Sequence, residues 1–249
     1  MKPSIRWATL GWTFFIAENA ILSENRSMII EQLGDENYHL VYGTLSTAAT
    51  ASIGYGYYQL RKAAQSSNVT NLLKSKPPVG NMAGAWIFMS VGIFLASQGL
   101  PRMQIPVSSS GGSSLQVRCP FDFTGKKDND SSPVSGIDRI TRHPGLWSMG
   151  LVGIGNSLLA TSVPMRLWWS GPAFVAWLGG AHTDSRFRRG LGGQMDPMYD
   201  SLTSNVPFFA LVSGKQGSGS WKALQHETKE LNALASVAAS TIWILRRIR

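Results

Sequence analysis

GNMAGAWIFMSVGIFLASQGL, residues Gly80 to Leu100, runs for about 20 residues without an Asp, Glu, Lys or Arg. A helix that rises ~1.5 Å per residue needs about 20 such residues to cross the ~30 Å hydrocarbon layer of a bilayer. Two further windows, Tyr38 to Leu60 and Pro144 to Met165, are equally free of charge. Core helices of soluble proteins rarely stay uncharged that long. Working outward from these windows, the pattern predicts helices over Trp7 to Ser23, Tyr38 to Leu60, Gly80 to Leu100, Pro144 to Ser162, Arg166 to Thr183 and Leu231 to Leu245. Residues 24–37 read as a short hydrophilic turn, residues 61–79 and 107–135 as polar loops, and residues 201–213 as a partly interfacial segment too short to span. The expected fold class is all-α, a polytopic membrane bundle of about six transmembrane helices, with residues 1–249 as a single domain.

The charge distribution supports that reading better than the average composition does. Of the 249 residues only 15% are charged, and the net charge is +9. The cations flank the apolar windows, as Arg61, Lys62, Arg142, Arg166, Arg246 and Arg247 show. Lipid phosphates lie at that depth. Arg186, Arg188 and Arg189 mark the exit of the fifth helix and, with Arg246 and Arg247, are expected lipid or headgroup contacts. No basic stripe interleaved with aromatics appears, so membrane lipids rather than nucleic acid are the expected partner. Met1 to Arg6 is too short for a cleaved leader, and Glu18 interrupts the first apolar stretch. On the second helix, Thr44, Ala48, Ser52 and Gly56 recur at four-residue spacing and predict a small-residue stripe for close helix packing.

Chemistry is sparse. One cysteine, Cys119, excludes an internal disulfide and a cysteine-based metal cluster. Gly-x-Ser-x-Gly, His-Glu-x-x-His and Gly-rich phosphate signatures are missing, and His39, His143, His182 and His226 are widely spaced, so no metal site is assigned. Polar groups at membrane depth are costly and therefore mark the places to look. These are Glu18 and Asn19 on the first helix, Asn156 on the fourth, and His182 with Asp184 at the end of the fifth. Arg142 and His143 stand at the mouth of the fourth helix, where His143 can cap it.

Two blocks of sequence carry a family resemblance. The first is Phe15-Ile-Ala-Glu-Asn-Ala-Ile-Leu-Ser-Glu-Asn-Arg26 with Gly34-Asp-Glu-Asn-Tyr-His-Leu-Val-Tyr42. The second is Arg139-Ile-Thr-Arg-His-Pro144, then Asp184 with its trailing arginines, then Thr203-Ser-Asn-Val-Pro-Phe-Phe-Ala-Leu-Val-Ser-Gly-Lys215. Together they resemble the NnrU family of membrane proteins, which includes the plant and algal 15-cis-ζ-carotene isomerases. A bare Arg-His-Pro also occurs in membrane methyltransferases. The resemblance implies a helix bundle that, in the isomerases, holds a b-type haem between histidines of two helices. At the two corresponding positions this chain has Asn19 and Asn156, the latter thirteen residues after His143. A carboxamide is a poor iron ligand beside imidazole.

The resemblance therefore leads to an expectation of no haem b. The chain is expected to be a non-catalytic structural or assembly subunit of a larger photosynthetic or respiratory membrane complex, with other membrane subunits as partners. Lipid, chlorophyll or carotenoid in its grooves is the expected ligand. The plastid, thylakoid or envelope, is the expected location, with the mitochondrial inner membrane second. The alternative is a carotenoid cis–trans isomerase with haem on displaced histidines (His143 with His182 or His39), and after it a membrane methyltransferase. Asn19 and Asn156 are expected to face each other and to pair across the vacated pocket.

Overall fold

The computed structural model describes residues 3–66, 77–99, 107–109, 115–117 and 134–248. Most of the loop from 107 to 135, with Cys119, lies outside the described residues, as does much of the linker 61–79. The chain is built from α1 (Pro3–Glu24), α2 (Arg26–Leu33), α3 (Asp35–Ser66), α4 (Val79–Gly99), α5 (Pro144–Leu159), α6 (Val163–Phe174), α7 (Gly180–Arg188), α8 (Pro197–Leu202), α9 (Phe209–Val212), α10 (Ser220–Glu227) and α11 (Glu230–Ile248). A 3-10 turn (Gly136–Arg139) precedes α5, and a π turn (Val175–Gly179) joins α6 to α7. The described residues are overwhelmingly helical, as the all-α expectation had it, with one short addition, β1 (Val107–Ser109) paired antiparallel with β2 (Leu115–Val117).

Local chemistry sets several of these boundaries. Pro144 opens α5 at a position whose missing N–H needs no partner. Asp196 caps α8, with its carboxylate accepting from the N–H groups of Met198 and Tyr199 at 2.7 and 3.0 Å. Gly34, at φ +81°, turns the chain between α2 and α3. The stretch read as a hydrophilic turn is thus mostly the helix α2, and α3 begins earlier and ends later than its uncharged window. Pro172 sits inside α6 and lacks the N–H of a regular turn; the wider π turn follows it directly.

The long helices pack in a row, α3 on α1, α1 on α6, α6 on α5, α5 on α4 and α4 on α11. The main apolar cluster joins Leu95, Ile140, Leu146, Trp147, Leu151, Val175, Ala176 and Leu211, with Trp12, Phe15 and Ile16 of α1 packed against it. Glycines permit the close approaches. A Cβ on Gly56 would lie 2.5 Å from the Trp7 carbonyl, and one on Gly171 would lie 2.2 Å from the Trp12 ring. The α3 stripe is corrected in detail. Gly56 and Ser52 do lie against α1, but Thr44 and Ala48 are exposed, and Tyr42, Ala49 and Leu60 are buried instead.

The polarity of α11 runs opposite to that of a soluble helix. Its Ser236 and Ser240 are buried, whereas Leu231, Leu234, Ile242, Trp243 and Leu245 are exposed. The serines meet α4, where Ser240 pairs with Ser90 at 2.6 Å and Ser236 with Ser97 at 3.3 Å. Trp86 donates to Thr241 at 2.9 Å, and Asn232 donates to the Ser97 carbonyl at 2.9 Å.

The six-span expectation is not supported. Among the described residues, Val79–Gly99 is the one helix long and apolar enough to cross a bilayer, with a mean hydropathy of 1.6. The physical reasons differ by helix. α5 has 16 residues, ~24 Å at ~1.5 Å per residue; α1 and α3 carry charges at their ends, and the small and hydroxylated residues of α3 hold its hydropathy down.

Two glycines of α3 give opposite predictions. Gly56→Ala forces its Cβ into the Trp7 backbone and should destabilise by about 1–3 kcal/mol. Gly54→Ala meets nothing within 4 Å and should stabilise by about 0.4–1 kcal/mol through the unfolded chain. Thermal unfolding midpoints of the two variants check this; equal shifts would contradict the α1–α3 packing.

Candidate functional site

The segment Arg139–Pro144 is stitched along Thr203–Phe208. Arg142 N donates to the Ser204 carbonyl at 2.9 Å, and Phe208 N donates to the Ile140 carbonyl at 2.8 Å. The Thr141 hydroxyl donates to the Asn205 carbonyl at 2.6 Å. Asn205 then spans three elements: its Oδ1 accepts from the Trp147 indole at 2.9 Å, and its amide donates to the Trp177 carbonyl at 3.0 Å. Gly180 leaves room for it, since a Cβ there would lie 2.4 Å from Asn205 Oδ1. Below this seam, Arg139 makes a two-pronged bond to Glu227, 2.8 Å on each arm, and Gly136 N also donates to that carboxylate.

Two of the expected residues, Arg142 and His143, meet on a third, Asp184. Its Oδ1 lies 2.8 Å from His143 Nε2, and its Oδ2 lies 2.9 Å from Arg142 Nη2. The other arm of Arg142 reaches Asp200, which also holds Arg188 at 2.6 and 2.7 Å. His143 and Asp184 are buried, and the Arg142 side chain is largely covered. Two arginines and two aspartates therefore cancel in charge. His143 stands at the N-cap position of α5, but its side chain makes no cap hydrogen bond and turns to Asp184 instead, which corrects the capping expectation. The Arg188 and Arg142 guanidiniums hold the Asp200 carboxyl down to about 2, and Arg139 holds Glu227 below the usual carboxylate range.

A second polar group lies on α1. His182 Nε2 is 2.8 Å from Ser23 Oγ and 3.9 Å from Glu24, and Glu24 pairs with Arg189 at 2.6 and 3.0 Å. The Ser23–His182 pair has the spacing of a nucleophile and its base. Glu24 approaches the same ring nitrogen as Ser23, and among the described residues no third group orients the imidazole from behind as catalytic triads require. One turn back on α1, the buried Glu18 accepts from Asn19 at 2.7 Å, and Asn19 Oδ1 accepts from the Tyr42 hydroxyl at 2.8 Å.

The three arginines after the π turn differ in exposure, Arg188 and Arg189 lying at the surface and Arg186 inside. Arg186 is buried under the turn at Gly192, whose Cβ would lie 2.9 Å from its guanidinium. Arg188 and Arg189 are held by Asp200 and Glu24. Arg246 and Arg247 are exposed at the end of α11.

Asn19 and Asn156 do not form one pocket. Trp12 lies on Gly171 and Ser23 on His182, so Asn19 is level with about residue 178 of the α6–α7 rod. Gly153 lies on Trp169 and Pro172, and Ser157 bonds the Arg166 carbonyl, so Asn156 is level with about residue 168. At ~1.5 Å per residue the two stand roughly 15 Å apart along the bundle. Asn156 also lies about 140° and 180° around α5 from Leu151 and Trp147, at ~100° per residue, and those two residues share the apolar cluster with α1. The Asn156 amide donates back to the Val152 carbonyl at 2.9 Å, and its buried Oδ1 has no partner. The expected Asn19–Asn156 pairing is not made. Carboxamides at these positions, one already tied to Glu18 and Tyr42 and the other facing away, do not fit a haem held between two axial ligands. Among the described residues no cluster of three or more His, Cys, Asp or Glu could hold a metal.

Asp200, Asn205, Ser23, Tyr42 and Glu227 completed these networks without being singled out in the sequence. Asn205 lay inside the Thr203–Lys215 block and Ser23 lies one turn after Asn19, so both had a signal. Asp200 had none.

The ion network predicts a specific loss of stability. Asp184→Ala leaves Arg142 buried without its main partner and should cost about 3–5 kcal/mol. Because the Asp200 and Glu227 carboxyls are held low, their stabilisation is complete above the unfolded values, about 3.9 and 4.3. For Asp200 it is lost as pH falls through about 2. Unfolding midpoints between pH 6 and 2 should therefore fall steeply below pH 4 in the parent chain and less steeply in Asp200→Asn.

No curated protein and no solved structure matches the chain. The family model described as NnrU protein matches residues 8–245. That match takes in most of α1, the Arg139–Pro144 and Thr203–Phe208 seam, Asp184 and most of α11, and on it the chain belongs to the NnrU family.

Proposed function

We propose that this chain is a haem-free member of the NnrU family that sits in a membrane and serves as a structural or assembly subunit of a larger complex. The observation that carries the reading is the inverted polarity of α11, with serines turned to α4 and Leu231, Leu234, Ile242, Trp243 and Leu245 turned outward. Water does not favour such a helix, whereas lipid or an apolar partner does. The outward residues Ile87 and Phe88 on the apolar helix α4 extend that face.

The non-catalytic part of the proposal rests on how the motif residues are used. Arg142 and His143 both bond Asp184, Asn205 joins three elements, and the two positions of the isomerase ligands are asparagines on different faces. Haem on displaced histidines gains no support, since His143 Nε2 is engaged by Asp184 and His182 Nε2 by Ser23. An organellar photosynthetic or respiratory complex is the proposed home, a plastid one first, on the resemblance to the isomerases. Bound lipid, chlorophyll or carotenoid is part of the same proposal.

Two measurements test it. The detergent-purified chain, oxidised and reduced, is expected to lack a stoichiometric haem spectrum; a strong Soret band with a matching reduced signal would overturn the haem-free reading. Gentle solubilisation from its own membrane followed by native mass spectrometry is expected to recover the chain with other subunits. A free monomer there would sink the subunit role.

A further inference from the structure

The segment from Asn205 to Lys215 turns on one strained residue. Phe208 has φ +62° and is the single non-glycine residue at positive φ among the described residues. A bulky L side chain adopts that geometry at a cost, and such outliers gather where the backbone serves a function. Here the reversal splits the segment into two faces. The Phe208 ring packs on the main cluster and stacks on Trp221 at 6.5 Å, while its N–H holds the Ile140 carbonyl at 2.8 Å. Ala210 and Leu211 follow it inward. Val206, Phe209 and Val212 go the other way, at 44%, 53% and 75% exposure.

A cation stands beside these three apolar tips. The Lys215 ammonium lies 5.6 Å from the centre of the Phe209 ring. The acids on flanking segments are already taken, Asp200 by Arg142 and Arg188, Glu227 by Arg139. The result is a rigidly held apolar edge backed by positive charge, and it runs for too few residues to span a bilayer. Apolar side chains at the acyl boundary with lysines at the phosphates is the pattern of interfacial anchoring.

We propose that Val206, Phe209 and Val212 enter the acyl boundary of a phospholipid bilayer, with Lys215 meeting its headgroup phosphates. The proposal rests on the membrane reading above and adds the depth and identity of one contact surface. It is tested on the full chain carrying Cys119→Ser and one new cysteine, Val212→Cys or Ile87→Cys, each labelled with an NBD fluorophore. Both are reconstituted in phosphatidylcholine–phosphatidylglycerol nanodiscs whose lipids carry a nitroxide either near the headgroup or near the chain end.

The label at 212 should be quenched several-fold more by the shallow nitroxide than by the deep one, and the label at 87, outward on α4, should be quenched by the deep one. Phe209→Asp should weaken the shallow quenching at 212 and leave position 87 unchanged. Quenching at 87 with none at 212 overturns the anchor and leaves the membrane reading standing. Deep quenching at 212 also overturns it, because the segment would then be re-entrant. No quenching at either position removes both.

Discussion

The shared carboxylate of Asp184 is the contact on which the arrangement of this chain depends. It sits on α7, while its two partners, Arg142 and His143, sit just before α5. One side chain thus fixes the mouth of α5 against the far end of the α6–α7 rod. Arg142 extends the tie to α8 through Asp200, and the backbone bonds from Arg142 and Phe208 bring Thr203–Phe208 alongside. Taking the Arg142 and Asp184 side chains out of water is costly, and burial returns that cost only when each charge is matched. Matching is nearly complete here. That demand explains why residues so distant in sequence form one seam.

The opposite end of the bundle is held differently. There Gly56 accepts the Trp7 backbone, Gly171 lies flat under Trp12, and Trp168 packs on both Trp12 and Tyr57. Shape takes the place of charge. The polar end carries specificity of register and the aromatic end carries close contact. Between α4 and α11 a third device operates, a run of serine and amide bonds that lets two helices adhere while their outer faces stay apolar. A scaffold that must present apolar surface to lipid or to a partner cannot use that surface to hold itself together, and these polar contacts solve the difficulty from inside.

Much of this was legible in the sequence, and the failures have physical causes. Charge-free windows found the cores of α3, α4 and α5, and shorter apolar runs, one of them interrupted by Glu18, found α1, α6 and α11. They missed α2, whose Arg26 and Glu31 hid a short helix that leans on α3, and they overcounted spans because a lack of charge is not the same as hydropathy. The Arg139–Pro144 motif and Asp184 stood in one block of the family resemblance, and the structure brings Arg142 and His143 onto Asp184. Asp200 could not be, since a lone acid in a polar segment carries no pattern. Asn19 and Asn156 were each identified as buried and polar, but their relation depended on helix phase and register. Sequence spacing within one helix cannot supply the offset between two.

The π turn at Val175–Gly179 has a consequence for how the chain tolerates change. A turn closed over an extra residue shifts the phase of everything after it. Downstream of it, His182 faces Ser23 on α1 while Asp184 faces His143 ahead of α5. The count of residues between Pro172 and Asp184 therefore acts as a structural element in its own right. A one-residue deletion there would leave every motif intact on paper and rotate the shared carboxylate away from both of its partners. Length in this stretch is under the same constraint as identity.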